Sequence, residues 1–348
     1  MSAVKATVLV AGSWGTALAS VLAENGVDVV VWSRNAAQVQ EINERHTNER
    51  FLPGAQLPQC LRATTDAEEA VKHGETLIIV APSSAMREVA RMMKPYVKPE
   101  QLIIHATKGF ETETLKRMSV VLSDELTQID PGGIVVLSGP SHAEEVIRRC
   151  PTTVVVASES KDNAEAAQDL FMNSYFRVYT NPDVLGVELG GALKNIIALG
   201  AGMSDGLGFG DNAKAALLTR GLAEISRLGG AMGAHMMTFA GLAGLGDLIV
   251  TATSRHSRNW RAGSLLATGM ALHEVLESLG MVVEGVRTTK AAVSLAGTYG
   301  IEMPIANELH AVLFEGKDPR VAVESLMGRL RTHEIEEVAR GNAPKWER

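Results

Sequence analysis

Apolar residues follow two different patterns along the chain, and the change comes near Asn181-Pro182. Before it, short runs rich in β-branched residues alternate with stretches of helical spacing. The runs are 7–10, 27–32, 76–81, 102–106, 134–137, 152–157 and 176–179. They are nearly all apolar instead of alternating, the pattern of parallel strands buried on both faces. Between them, 14–25, 36–45, 84–94, 115–126 and 162–171 read as helices, with Gly26 as a stop for the first. This repetition predicts a doubly wound, Rossmann-type α/β domain over residues 1–181. After the change, strand-like runs give way to Ala, Leu, Gly and Met at helical spacing. Segments 186–202, 213–228, 272–279 and 288–299 read as helices, and Pro304 and Pro319 sit where first-turn prolines are tolerated. An all-helical domain is expected over residues 182–348.

Composition narrows the function classes. A chain of 348 residues with 46% hydrophobic and 21% charged residues is an ordinary globular protein of about two domains. Its net charge of -7 argues against a nucleic-acid partner, and an anionic substrate would need a local basic site. The two cysteines, Cys60 and Cys150, form neither a CxxC pair nor a metal-ligand spacing, and they exclude a disulfide framework. They read as thiols in a reducing compartment. A strand beginning at Val8 and broken by Gly12 is not a secretory signal. The longest apolar stretches, such as 196–203, fall short of a membrane span. The expectation is a cytoplasmic protein without membrane insertion or metal.

The segment Val8-Leu-Val-Ala-Gly-Ser-Trp-Gly15 ends a strand and opens a helix, as a dinucleotide fingerprint does. Gly12 would admit a diphosphate close to the backbone, and Gly15 would let helix and sheet pack closely. The free N–H groups of the helix start would hold the anion. One position breaks the fingerprint: Val10 stands where its first glycine is expected. Either the turn keeps its shape under strain, or it relaxes and moves the N–H groups away. Both outcomes would weaken cofactor binding if the free loop is less constrained than the bound one, so Val10→Gly is expected to tighten it. A strand–helix turn without a ligand is the plainer alternative. At the end of the second strand, Ser33-Arg34 offers no acidic residue to a ribose 2′-OH. Arg34 suits the 2′-phosphate of NADP(H), or is simply a solvated arginine.

Other segments carry candidate chemistry. His105-Ala-Thr-Lys108-Gly109 and Ser138-Gly139-Pro140-Ser141-His142-Ala143 follow strands, where ligands of such sheets bind. Lys108 can face an anion or a carbonyl oxygen, and Ser141 can donate a hydrogen bond; the Gly-Pro pair also reads as a tight turn. Lys194 and Asn195 lie in an apolar, glycine-rich helix. Burial and a second lysine would lower a lysine's pKa and fit it for proton transfer, whereas a snorkelling lysine paired with Glu188 or another carboxylate is the alternative. Asp247 and Thr251 follow in Gly244-Leu-Gly-Asp247-Leu-Ile-Val-Thr251. Ser257-Arg258-Asn259 looks like a helix start suited to phosphate, or an exposed basic cap.

Taken in order, Gly12-Ser-Trp-Gly-Thr-Ala-Leu-Ala19, Leu137-Ser-Gly-Pro-Ser-His-Ala-Glu144, Gly186-Val-Glu-Leu-Gly-Gly-Ala-Leu-Lys-Asn195, His256-Ser-Arg-Asn259 and Val283-Glu-Gly-Val-Arg-Thr-Thr289 resemble the bacterial glycerol-3-phosphate dehydrogenase family. The resemblance runs from about Thr7 to about His333. It implies a Rossmann-type domain, a helical domain and an active site between them. It also implies reversible reduction of dihydroxyacetone phosphate by NAD(P)H, feeding glycerophospholipid synthesis, in a homodimer. By position it implies that Lys194 is the general acid/base, with Asn195, Asp247 and Thr251 orienting it. Lys108 would be shared by cofactor and substrate. Gly139, Ser141, Lys194, Asp247, Ser257, Arg258 and Asn259 would bind substrate. Gly12, Ser13, Trp14, Gly15, Ser33, Arg34, Ala143, Arg258, Val282 and Glu284 would meet NADP(H) or NAD(H). Two rivals are a 3-hydroxyacid dehydrogenase of the same plan, which would bind a carboxylate, and a nucleotide-binding sensor without catalysis.

Overall fold

The computed structural model describes residues 4–280 and 282–331. The chain divides into two compact units, Met1–Glu188 and Leu189–Arg348. In the first, strands β1 (Lys5–Leu9), β2 (Asp28–Trp32), β3 (Arg62–Thr64), β4 (Thr76–Ile79), β5 (Leu102–His105), β6 (Val135–Ser138), β7 (Thr152–Ala157) and β8 (Phe176–Asn181) form one sheet. Its order is β3-β2-β1-β4-β5-β6-β7-β8. The helices are α1 (Ser13–Glu24), α2 (Ala36–Arg45), α3 (Ala67–His73), α4 (Met86–Met93), α5 (Met118–Glu125), α6 (Ala143–Val146) and α7 (Lys161–Phe171). The strand order reverses at β1, between β2 and β4, which makes the end of β1 a ligand-binding switch point.

The all-apolar runs have a direct cause. Successive residues of one strand enter two separate cores: Val8, Ile78 and Ile104 pack in one, and Leu9, Leu77, Ile79 and Ile103 in the other. Each strand therefore needs apolar residues at every position. The sheet is not parallel throughout, however. β7 runs antiparallel to β6, whereas the other pairings are parallel. A parallel crossover needs a helix long enough to traverse the sheet face. The segment linking β6 to β7 carries only the four-residue α6, so the chain returns in the opposite direction.

Sequence patterning misses β3 and α3. Three residues, two of them polar, are too few for a period to show, and α3 is fixed by its cap, where Asp66 accepts from the Glu69 N–H at 3.0 Å. The helix expected over 115–126 begins at Met118, because Leu115 has φ +58°, a left-handed conformation no helix interior accepts. Gly26 follows α1 at φ +82°, as its role as a stop requires.

Val10 keeps the turn's shape under strain. Its φ is +82°, where a β-branched residue is a true outlier, while its N–H still donates to the Trp32 carbonyl at 3.1 Å. The relaxed alternative is thereby excluded. The geometry also explains Gly15: a Cβ there would lie 2.3 Å from the Val10 carbonyl oxygen.

The described part of the second unit is helical: the continuation of α8 (Val184–Gly206), then α9 (Asp211–Ala231), α10 (Met236–Phe239), a π turn over Leu242–Gly246, α11 (Asp247–Thr253), α12 (Arg258–Leu266), α13 (Leu272–Leu279), α14 (Glu284–Tyr299), α15 (Pro304–Phe314) and α16 (Pro319–Met327). Pro304 and Pro319 occupy first-turn positions. One expectation needs correcting. α8 has 23 residues and a mean hydropathy of 1.4, enough in length and apolarity to cross a membrane, and Met236–Thr253 reaches the same mean hydropathy. The apolar window of α8 is 89% buried inside the protein, so its composition is that of a core helix.

Candidate functional site

The residues singled out from the sequence fall into two sets, one in each unit. In the first unit, β1 ends at Leu9 and α1 opens after Gly12, which has no side-chain cap. The first-turn N–H groups therefore point outward as an anion site. A Cβ at Gly12 would meet nothing within 4 Å, so the space before the helix is open to a diphosphate. The Ser13 hydroxyl is turned away, donating to the Phe51 carbonyl at 2.8 Å, and the Trp14 ring packs into the core 6.5 Å from that of Phe176. Both residues present backbone, not side chain, to this space. The Ala11 carbonyl is fixed by Gln38 Nε2 at 2.6 Å and Asn48 Nδ2 at 3.1 Å. Ser33 is buried and donates to Gln38 Oε1 at 2.6 Å, while Arg34 beside it is exposed. No pattern along the chain announces Gln38 or Asn48.

At the end of β5, Lys108 donates from Nζ to the Gly139 carbonyl at 3.0 Å, and Ser141 Oγ donates to the same oxygen at 2.9 Å. Lys108, Gly139 and Ser141 are thus brought together. Gly139 has φ +123°, and a Cβ there would sit 3.1 Å from the Val154 Cα. Ala143 is buried at the start of α6.

In the second unit, Lys194 is 5% exposed and Asp247 1% exposed. Lys194 Nζ donates to Asp247 Oδ1 at 2.5 Å and to Thr251 Oγ1 at 2.6 Å, and Thr251 donates to the Asp247 carbonyl at 2.6 Å. The lysine's partner is therefore Asp247; Glu188 has other partners. Close backbone packing makes this possible. A Cβ at Gly190 would lie 2.8 Å from the Ala243 carbonyl oxygen, so only glycine lets α8 reach the π turn that delivers Asp247. π turns offset side chains from the helical register and are frequent at functional sites. A buried ion pair recovers little net stability.

Lys194's neighbour Asn195 is held by a second crossing. A Cβ at Gly202 would meet the Trp260 carbonyl oxygen at 1.9 Å, and one at Gly263 would meet that of Leu199 at 1.9 Å. α8 and α12 therefore touch backbone to backbone. Asn259 Nδ2 then donates to Asn195 Oδ1 at 2.8 Å, and Asn259 Oδ1 accepts from the Gly285 N–H at 2.8 Å. That backbone donor fixes both amide orientations and leaves Asn195 Nδ2 as a donor group. Ser257 is buried and caps α12, accepting from the Trp260 N–H at 3.2 Å. Arg258 is exposed at the first helical position and donates to the Val282 carbonyl at 3.1 Å. Glu284 opens α14 two residues beyond Val282. The structure thus gathers Lys194, Asn195, Asp247 and Thr251 with Asn259, and Arg258 with Val282. Among the described residues, no group of three His, Cys, Asp or Glu could hold a metal ion.

Comparison with known proteins bears directly on this arrangement. Residues 5–164 match the pattern of the NAD-dependent glycerol-3-phosphate dehydrogenase N-terminus, and residues 183–324 that of its C-terminus. A glycerol-3-phosphate dehydrogenase [NAD(P)+] of Lysinibacillus sphaericus is 57% identical over 334 residues, 96% of this chain and 99% of that one. Another, of Bacillus cereus, is 59% identical over 334 residues, 96% of this chain and 98% of that one. The crystal structure of glycerol-3-phosphate dehydrogenase from Coxiella burnetii superposes with a TM-score of 0.89 at 40% identity, covering 94% of this chain and 99% of the other. The chain belongs to the NAD-dependent glycerol-3-phosphate dehydrogenase family.

Proposed function

We propose that this chain interconverts dihydroxyacetone phosphate and sn-glycerol 3-phosphate with NAD(P)H, supplying glycerophospholipid synthesis. The observation that carries the reading is the buried Lys194 ammonium, held by Asp247 and Thr251 beside the fixed amide of Asn195. Residues 1–181 serve as the dinucleotide-binding domain and 182–348 as the substrate and catalytic domain.

The outward first-turn N–H groups of α1 and the open space over Gly12 fit a dinucleotide diphosphate. Arg34 faces the adenosine end and favours a 2′-phosphate. Ala143, Val282 and Glu284 complete the cofactor contacts, with Ser33 bracing Arg34's neighbourhood. When bound, the reduced nicotinamide supplies the hydride. Lys194 donates a proton from Nζ to the carbonyl oxygen as negative charge gathers there, and recovers it in the reverse direction. The Asp247 carboxylate holds the ammonium in place, and Thr251 fixes its direction. Lys108 adds a second positive charge to the substrate's surroundings, with Gly139 and Ser141 shaping that contact. Ser257, Arg258 and Asn259 take the phosphate at the start of α12, and its binding energy orients the carbonyl. A 3-hydroxyacid substrate would leave this basic helix start without an anion of matching charge.

The test is NADPH oxidation with dihydroxyacetone phosphate, repeated with NADH and with a 3-oxoacid. Turnover with the phosphate ester alone supports the reading. Turnover with the oxoacid alone, or cofactor binding with no turnover, overturns it. From the family resemblance we also propose a homodimer in the cytoplasm; the free thiols Cys60 and Cys150 suit a reducing compartment. A monomer by sedimentation would refute the dimer.

A further inference from the structure

Glu188 is among the most deeply buried charged groups of the first unit, and nothing in the reaction above uses it. Its carboxylate gathers donors from two places far away in sequence. Oε1 accepts the Ser119 N–H at 2.8 Å, and Oε2 accepts the Ser119 hydroxyl at 2.6 Å and a hydrogen bond from Arg117 Nη1. His105 Nε2 lies 3.2 Å from Oε1.

These partners mark the two ends of one loop. His105 is the last residue of β5, and Arg117 directly precedes α5. Between them run residues 106–116, with Lys108 three positions after His105. α5 has no side-chain cap of its own at Arg117. Glu188 does that work from a distance, placing a carboxylate on a first-turn N–H where the helix dipole favours negative charge. The loop needs such closure. Leu115 has φ +58°, and a non-glycine residue keeps such a conformation only where surrounding contacts enforce it. Its outer part is held separately, by Arg87 gripping Glu111 through two bonds of 2.6 and 2.7 Å. Burial alone would raise the Glu188 pKa, but His105, Arg117 and Ser119 outweigh it and hold it at about 2, so the clasp stays charged at neutral pH.

We propose that Glu188 is a positioning residue that closes the base of the 106–116 loop and so fixes the direction of Lys108. The proposal rests on the role given to Lys108 above. It predicts that Glu188→Gln, which keeps the shape but loses the charge for Arg117, lowers kcat by about tenfold, since small misplacements of a catalytic group are costly. A purely structural role would predict the same loss in any background. The distinguishing experiment is a double-mutant cycle in kcat with Lys108→Met on the full-length enzyme. If Glu188 acts through Lys108, E188Q costs nothing further once Lys108 is gone. Equal losses in both backgrounds, or no loss in either, overturn the positioning role. If K108M alone leaves turnover unchanged, the reading of Lys108 falls and takes this one with it. Should E188Q not fold, Ser119→Ala removes the 2.6 Å bond to Glu188 and the 3.2 Å bond that the hydroxyl accepts from Arg117 Nη1, and keeps the backbone N–H on the carboxylate. Its smaller loss, about two- to fivefold, must likewise vanish in the K108M background, and a loss that persists there, or none at all, refutes the proposal.

Discussion

Replacing Val10 should reverse the ordinary order of alanine and glycine. In nearly every strand or helix, glycine is less stable than alanine by roughly 0.5–1 kcal/mol, because its unfolded chain is freer. At φ +82° the balance changes, since any Cβ crowds the neighbouring carbonyl at a cost of about 1–2 kcal/mol. Val10→Ala keeps that crowding and loses the partial burial of two methyl groups against the core beside it, about 1 kcal/mol. Val10→Gly loses the same contacts but sheds the strain. Subtracting the entropy cost, glycine should exceed alanine by up to about 1 kcal/mol and lie close to wild type. Urea unfolding at constant m-value measures both variants. Alanine equal to or more stable than glycine would refute the strain argument. The same geometry revises the cofactor expectation: the turn already holds the Gly12–Gly15 N–H groups in place, so Val10→Gly should change the NADPH dissociation constant by less than about twofold.

Three further outcomes follow from the site and its surroundings. Arg258→Ala should raise the Michaelis constant for dihydroxyacetone phosphate by about ten- to a hundredfold, the loss of a charge-assisted bond to phosphate, and an unchanged constant removes Arg258 from the site. Arg34→Asp should move the ratio of kcat/KM values from NADPH toward NADH, because a carboxylate repels the 2′-phosphate and can accept from a 2′-OH; a fixed ratio makes Arg34 a surface residue. Glu224 is buried, which raises its pKa to about 7 even though it accepts from the Ile305 N–H at 2.7 Å and the Ala306 N–H at 3.3 Å. A carboxyl whose folded pKa is raised adds stability that is complete below about pH 4.5 and is lost as pH climbs through about 7. Denaturation midpoints should therefore fall between pH 5 and about 8, and Glu224→Gln should flatten that slope; an identical slope in the variant contradicts the shift.

Much of this molecule is legible from local pattern. Strands that feed two cores must be apolar throughout, and the runs at β1, β4 and β5 show it. The helical half announces itself by spacing, and Pro304 and Pro319 mark two of its helix starts. Lys194 and Asp247 stand out because charged groups interrupt glycine-rich apolar stretches, and Ser257-Arg258-Asn259 because it reads as a polar, basic helix start. What stays hidden depends on distant pairing. The antiparallel turn of β7 follows from how short α6 is, which no single run reveals. Gln38 and Asn48 hold the Ala11 carbonyl across 27 and 37 residues, and Glu188 reaches Ser119 across 69. The partner of Lys194, 53 residues on, is set by where Gly190 and the π turn meet, not by spacing along a helix.

The central claim is that Lys194 moves the proton, and one comparison tests it most directly. Wild type and Lys194→Ala would be assayed for NADPH oxidation with saturating dihydroxyacetone phosphate, with NADPH binding to each followed by fluorescence titration. The account predicts a fall in kcat of about 10²–10⁴-fold with cofactor binding largely unchanged. A variant that keeps more than about half the wild-type rate would show that the proton comes from elsewhere.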